Sequence, residues 1–347
     1  MLFKGNVNGF IEKFSGHTND IFFERGGVIL NKVHLFSHND LDGFSPALLG
    51  KLAFPEDKFE YSCVSIGRID QIITEFLETN KETGIDLYIT DISVNEEVAK
   101  MLQKRVQKGQ KVVLIDHHAS AIPLGDKYKW AHVQPVYEDG TKTAATSLFY
   151  DYLVEQTYLK KTPILDEYVE LVRQFDTWDW FANQNEKAKQ LNHLFYLISR
   201  DEFQQAVLPV LQSEEGAFQF SERHQTLLEV EEKKIEKYIR EKQKQMMKAS
   251  LTIGGKEWKA GIVFAENYQS ELGNALCLED EEIDFSAMVD MGRRKIGFRT
   301  VKENLSLIDV VSPLGGGGHP KAAGCSLTKE TFELFVQSHL FQEDGRS

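Results

Sequence analysis

Three separate apolar runs in this chain each lead into an aspartate, and that repetition restricts the fold more than any other feature. Residues 31–37 (NKVHLFS) read as a strand feeding HNDLDG, which contains Asp40. IDLYITDIS reads as a strand ending at Asp91, and QKVVLIDHH as a strand ending at Asp116. Helical spacing separates them. Residues 45–53 and 67–80 read as helices, the second placing Ile69, Ile72, Ile73 and Phe76 on one face. A further helix over about 95–108 puts Val98 and Leu102 on one face. Strand and helix alternating in this way imply a parallel α/β sheet. In an open sheet of that class, ligands bind at the carboxyl ends of the strands. Asp40, Asp91 and Asp116 are therefore expected at one edge, although they are far apart along the chain.

The remaining sequence asks for more than one core. A chain of 347 residues exceeds one ordinary domain. Residues 140–158 open on glycine and threonines and continue as a helix, and 164–176 form a helix ending near Asp176. Residues 186–247 read as helical throughout. Their charge-alternating end carries a thin apolar stripe of Leu228, Ile235 and Ile239, the pattern of a solvated connecting helix. From Leu251, LTIGGKEWKAGIVFA reads as two strands joined at Gly254 and Gly255. FSAMVDMGRRKIGFRT reads as two more, turning at Met291 and Gly292, before a glycine run and a last helix over about 328–341. A short hairpin is expected at 21–30, turning at Gly26 and Gly27. The expected fold is α/β with two domains: a parallel-sheet catalytic domain over 1–190, a helical connector over 191–250, and a smaller mixed α/β domain over 251–347.

Charge and cysteine usage remove several functions. The net charge of −13 disfavours non-specific duplex binding, which needs a basic footprint. Cys63, Cys277 and Cys325 are isolated and odd in number, which fits a reducing compartment without a disulfide framework. With no leader pattern and no apolar stretch of about 18 residues, a cytoplasmic chain with no membrane partner is expected.

The chemistry is concentrated in four places: His38, Asp40 and Asp42 in SHNDLDG; Asp91; Asp116, His117 and His118; and Asp176, with Asp179 close behind. If SHNDLDG is extended, its period of two points His38, Asp40 and Asp42 the same way. Singly, Asp40 or Asp42 reads as a turn residue, Asp176 as a helix cap, and DHH as a surface cluster. Together at strand ends they exceed what one metal uses, and two metals become the reading. A mixed oxygen and imidazole set suits manganese or another first-row divalent ion. Asp179 is expected to be structural, because Asp176 can serve instead, and Trp178 and Trp180 to be core or interface residues. In the second domain, Gly315, Gly316, Gly317 and Gly318 allow backbone N–H groups to approach an anion. With His319 and Arg299 they read as a substrate clamp, whereas Arg293, Arg294 and Lys295 read as surface residues.

These motifs, in this order, resemble those of the DHH phosphoesterase family. SHNDLDG is similar to its first motif, TDIS at 90–93 to its second, DHH at 116–118 to its third, and the Asp176 of FDTWDW to its fourth. GGGGH at 315–319 followed by PKAAG is similar to its C-terminal substrate-binding domain, so the resemblance spans about 33–325. It implies that His38 and Asp40 bind one metal, that Asp42, His117 and Asp176 bind the other, and that Asp91 bridges them. It also implies that Asp116 orients the histidines while His118 faces the substrate phosphate. Two Mn2+ ions are implied, with Mg2+ or Co2+ as substitutes. Within the family the layout is most similar to the bacterial oligoribonuclease branch. The implied activity is manganese-dependent degradation of short single-stranded oligoribonucleotides to mononucleotides, by in-line attack of an activated water without a covalent intermediate. A substrate held between the metals and the second domain is expected to be short. The alternatives are a 3′-phosphoadenosine 5′-phosphate phosphatase, a dinucleotide phosphodiesterase, and, in a different class, an inactive nucleotide-binding module. The intact Asp and His set speaks against the last. A homo-oligomer is left open.

Overall fold

The chain alternates strand and helix from the first described residue. The structure, a computed structural model, describes residues 31–80, 84–213 and 216–338. The hairpin expected at 21–30 and the end of the last helix lie outside these residues. The chain divides into two compact units, Met1–His224 and Gln225–Ser347. The division falls inside the helical stretch 191–250.

The first unit opens with β1 (Lys32–His38), α1 (Leu41–Ala53), β2 (Phe59–Val64), α2 (Ile69–Thr79) and β3 (Ile85–Thr90). It continues with α3 (Glu96–Gln107), β4 (Val112–Asp116), the short α4 (Ile122–Lys127) and β5 (Ala131–Val133). Among the described residues its sheet has five strands, all parallel, in the order β2-β1-β3-β4-β5. The chain starts in the middle, adds β2 on one side and then crosses to add β3 on the other. This reversal beside β1 is the topological switch point, where open α/β sheets form their ligand crevice.

Both faces of the sheet are covered, which is why β3 and β4 read as unbroken apolar runs. On one face Phe36, Leu87, Ile89, Val112 and Leu114 pack with Ile69 and Ile73 of α2 and Val98 and Leu102 of α3. On the other, Tyr88 meets Phe149 and Tyr152 at ring distances of 5.8 Å. Those two rings belong to α5 (Ala145–Glu155), which is followed by α6 (Pro163–Asp176), a four-residue α7 (Asp179–Ala182), α8 (Glu186–Leu197) and α9 (Arg200–Leu211). Phe195 of α8 and Phe203 of α9 pack on Phe44 of α1 at 5.5 and 6.2 Å. Residues 191–211 thus fold onto the first unit.

The second unit follows α10 (Glu222–Gln243), which crosses the division. It contains β6 (Met247–Ile253), β7 (Lys256–Phe264), α11 (Gln269–Glu279), β8 (Phe285–Asp290), β9 (Lys295–Arg299), α12 (Leu307–Val311), β10 (Gly317–His319), β11 (Ala322–Ser326) and α13 (Lys329–Phe332). Its described strands form a mixed sheet in the order β10-β11-β9-β8-β7-β6, with β7 and β8 the parallel pair. Trp258, Phe285, Phe298, Val310 and Phe335 fill one face, and Leu272 and Leu276 of α11 cover the other with Val263 and Met288. Gly254 and Gly255 make the β6–β7 turn with φ of 60° and 78°, a conformation that costs glycine nothing. No helix among the described residues is long and apolar enough to cross a membrane.

Candidate metal centre

The expected edge exists, and it lies at the switch point. His38 ends β1, Asp91 follows β3, and Asp116 ends β4. His38 Nδ1 lies 2.7 Å from Asp40 Oδ2 and 3.6 Å from Asp91 Oδ2. The SHNDLDG segment is not extended, contrary to the period-two reading. Asp40 is the N-cap of α1, its Oδ1 accepting from Gly43 N at 2.9 Å, and Asp42 lies in the first helical turn. The three side chains therefore diverge from a strand end, a cap and a helix turn. That tight turn needs Gly43, because a Cβ there would overlap the His38 carbonyl oxygen. Asp91 has φ of 60°, a left-handed conformation that aspartate tolerates and most residues do not.

A second group gathers on the other side of Asp91. His117 Nε2 lies 3.4 Å from Asp91 Oδ1, 3.6 Å from Asp176 Oδ2 and 3.7 Å from Asp42 Oδ2. Asp176 is the last residue of α6. Asp42 is buried and fixed by the start of α5: Ala145 N and Thr146 N donate to its two carboxylate oxygens at 2.8 and 2.9 Å. A helix N-terminus favours a carboxylate, and each carboxylate oxygen keeps a second lone pair for another partner. Pro46 has no N–H to offer the Asp42 carbonyl, and the Thr146 hydroxyl donates to that oxygen instead at 2.8 Å. The proline thus helps join α1 to α5 at a site residue.

Asp116 is occupied within the protein. Its Oδ1 accepts from the backbone N–H of His117 and His118 at 2.8 and 3.1 Å and lies 2.7 Å from His118 Nδ1. Ser93 Oγ donates to Oδ2 at 2.6 Å. These bonds fix the backbone of both histidines and aim the His118 ring; the His118 side chain is 39% exposed and that of His117 9%.

The electrostatics test whether cations fit. Asp91 Oδ2 and His117 Nε2 are buried and have no hydrogen-bond partner among the described residues. Orphaned buried atoms of this kind are rare without a missing ion or water. Burial, then the charges of Asp42 and Asp40, push the Asp91 carboxyl well above its usual range. Burial, then the Asp42 charge, pushes Asp176 up to about 7. The hydrogen bond to Asp40 leads the rise of His38 to about 10. Burial pulls His117 down, but Asp91, Asp176 and Asp42 outweigh it and lift the ring to about 10. The bare cluster therefore holds protons where cations would neutralise it better. His38, Asp40 and Asp91 present ligand atoms within 4.8 Å of one another, as do Asp42, His117 and Asp176, and Asp91 with Asp116, His117 and His118. The residues fit divalent cations.

Asp179 points elsewhere. Its carboxylate accepts from Arg173 Nη1 at 2.8 Å and Lys142 Nζ at 3.1 Å. Trp178, at φ of 67°, packs on Trp180 at 5.2 Å.

The other predicted residues lie in the second unit. Part of the glycine run is a strand rather than a loop, and Gly315 N and Gly316 N already donate to Ser312 O and Val311 O. Ala322 of β11 pairs with Arg299 on one side and His319 on the other. That register puts Arg299 and His319 on one sheet face. Arg299 donates to Phe298 O and Ser270 Oγ, while its buried Nε has no partner among the described residues.

Solved structures share this architecture. RecJ from Thermus thermophilus in complex with Mn2+ superposes with a TM-score of 0.55 at 15% identity, over 88% of this chain and 51% of that one. An exonuclease RecJ bound to manganese gives 0.53 at 14% identity, covering 88% of each chain. The DHH domain of a protein assigned to a family of ribosomal proteins gives 0.50 at 14% identity, over 89% of this chain and 86% of that one. No protein-family model matches the chain. Oligoribonuclease NrnB of Bacillus subtilis (strain 168) is 42% identical over 305 residues, which are 87% of this chain and 75% of that protein. The chain belongs to the DHH phosphoesterase family. In this DHH phosphoesterase, sequence reasoning missed Ser93 and the Ala145 and Thr146 amides as supports of the site. Ser93 stands inside the TDIS motif, and GTKTAAT runs into the first turn of α5, but nothing in either segment names the aspartate it holds.

Proposed function

We propose that this DHH phosphoesterase is a manganese-dependent exonuclease that degrades short single-stranded oligoribonucleotides to mononucleotides. The observation that carries the reading is the split use of Asp91, with one oxygen toward His38 and the other toward His117. His38 and Asp40 would hold one ion, Asp42, His117 and Asp176 the other, and Asp91 both. Two divalent cations supply an activated water and offset the charge that develops on the phosphoryl group. Asp116 holds His118 so that its ring can donate to a phosphate oxygen. Arg299, Gly315, Gly316, Gly317, Gly318 and His319 are assigned to substrate binding. The 42% identity to an oligoribonuclease supports the substrate class, and the manganese-bound RecJ structures support the ion.

The test is a time course on 5′-labelled RNAs of about two to twenty-four residues in manganese, over a salt series. Each phosphate contact of a single strand adds about 0.7 to the slope of log affinity against log salt. A shallow slope of about two or three phosphates, similar for the dinucleotide and the pentanucleotide, is expected. Efficiency rising steadily to the longest RNA with a steep slope contradicts the short-substrate reading. Phosphate release from adenosine bisphosphate with untouched RNA contradicts the nuclease reading.

A further inference from the structure

Beside the His38–Asp40 group, the corner between α8 and α9 carries an arginine that the metal centre does not use. Arg200 is the first residue of α9, where a positive charge opposes the helix dipole. Its guanidinium carbon lies 3.3 Å from the centre of the Phe195 ring and 5.2 Å from that of Tyr196. One N–H donates to the Phe195 carbonyl. No carboxylate among the described residues lies within ion-pair distance of it. A guanidinium stacked by its face keeps its N–H edge for an anion, with five donors in total.

The position of this corner follows from packing within the first unit. Phe195 packs on Phe44, which directly follows Gly43, and Gly43 touches the backbone of His38. Tyr61 of β2 donates to Gln204 of α9 at 3.2 Å. Cys63, two residues further along β2, pairs in register with Ser37, next to His38. Arg200 thus opens the helix that packs against the strand lying beside His38, and among the described residues it forms no ion pair with Asp40. Tyr196 is 60% exposed, so its ring is open to a ligand.

We propose that Arg200 and Tyr196 form a nucleotide platform beside the His38–Asp40 group, Arg200 pairing with a terminal phosphate next to the scissile one and Tyr196 stacking on the base. The proposal rests on the nuclease reading and names the part of the substrate that this side of the site selects. Arginine recognises phosphate by paired N–H donors, and an exposed aromatic ring stacks on any base. A substrate gripped at its end gains nothing here from further length.

The test compares kcat/KM for dinucleotides with and without a phosphate at the 5′ or the 3′ end, using the full chain in manganese. The wild type should prefer one phosphorylated form by about tenfold to a hundredfold. Arg200→Gln should reduce that ratio to within about twofold, and Arg200→Lys should restore part of it. Gln can still donate to the Phe195 carbonyl, so a role confined to closing α8 would leave the ratio unchanged. Tyr196→Ala, at an exposed position, gives a second reading: the preference for a dinucleotide over its abasic counterpart, about tenfold or more in the wild type, should disappear. The proposal is overturned if dinucleotides are cleaved without preference for a terminal phosphate, or if both ratios survive in the variants. Cleavage of bis(p-nitrophenyl) phosphate with dinucleotides untouched would instead sink the nuclease reading, and the platform with it.

Discussion

Asp91 Oδ1 and His117 Nε2 stand 3.4 Å apart, two groups from neighbouring strand ends. The ring nitrogen is buried without a hydrogen-bond partner among the described residues. An N–H···O bond is normally 2.7–3.2 Å long. The spacing is longer than such a bond, and the two groups would instead hold a divalent cation between them. The other Asp91 oxygen stands 3.6 Å from His38 Nδ1, which already lies 2.7 Å from Asp40 Oδ2. Loss of Asp91 is therefore expected to separate catalysis from folding.

Asp91→Asn should abolish turnover while removing a carboxylate that burial and its neighbours disfavour. The chelator-treated variant should melt no lower than the chelator-treated wild type. Manganese should raise the melting temperature of the wild type but not of the variant. Thermal unfolding with and without manganese checks this, and an equal gain in both proteins contradicts it.

Metal binding should release protons. His38 and His117 are lifted to about 10 in the bare cluster, so both are charged at neutral pH and must lose a proton to ligate. Apparent manganese affinity should rise with pH, and calorimetry in buffers of different ionisation enthalpy should report net proton release. Asp176 gives a further sign. Its folded pKa is raised from 3.8 to about 7, so its stabilising contribution is full below 3.8 and is lost as pH rises through about 7. Chelator-treated wild type should therefore lose melting temperature relative to Asp176→Asn across that window.

Asp116 and Asp179 should behave differently. Asp116→Asn disturbs the acceptor that holds the His117 backbone N–H and the His118 ring, and losses of about 10–100-fold in metal affinity or activity are typical for such partners. Asp179→Ala removes an ion pair with Arg173 and Lys142, and should cost about 1 kcal/mol of stability while leaving bound metal intact. Elemental analysis together with melting curves distinguishes the two.

Gly43→Ala should damage the site from outside the ligand set. The added methyl would overlap the His38 carbonyl, so either α1 or the end of β1 must shift. Reduced manganese affinity together with a lower melting temperature is the expected result. Normal affinity in a folded variant would show that the start of α1 has slack.

The sheet and its acidic edge were legible because β3 and β4 are buried on both faces and write unbroken apolar runs that stop at Asp91 and Asp116. β2 was not, because it lies at the sheet edge, mostly half-buried, and carries Glu60 and Ser62. SHNDLDG reads as extended by its period of two, although Asp40 followed by Asp42 is also the signature of a helix start. The glycine run carries no side-chain pattern, and only its register with β11 shows that Gly317–His319 is a strand. The supports of Asp42 and Asp116 come from residues up to 104 positions away and could be seen only in the folded chain.

The central claim is that the edge built on His38, Asp40, Asp42, Asp91, His117 and Asp176 binds two cations through a shared Asp91. The most direct measurement is calorimetric titration of the chelator-stripped full chain with manganese, with elemental analysis of the product. Two manganese ions per chain, with activity returning as they bind and no such binding in Asp91→Ala, is the predicted result. Full hydrolysis in chelator with no metal bound to the chain would contradict it.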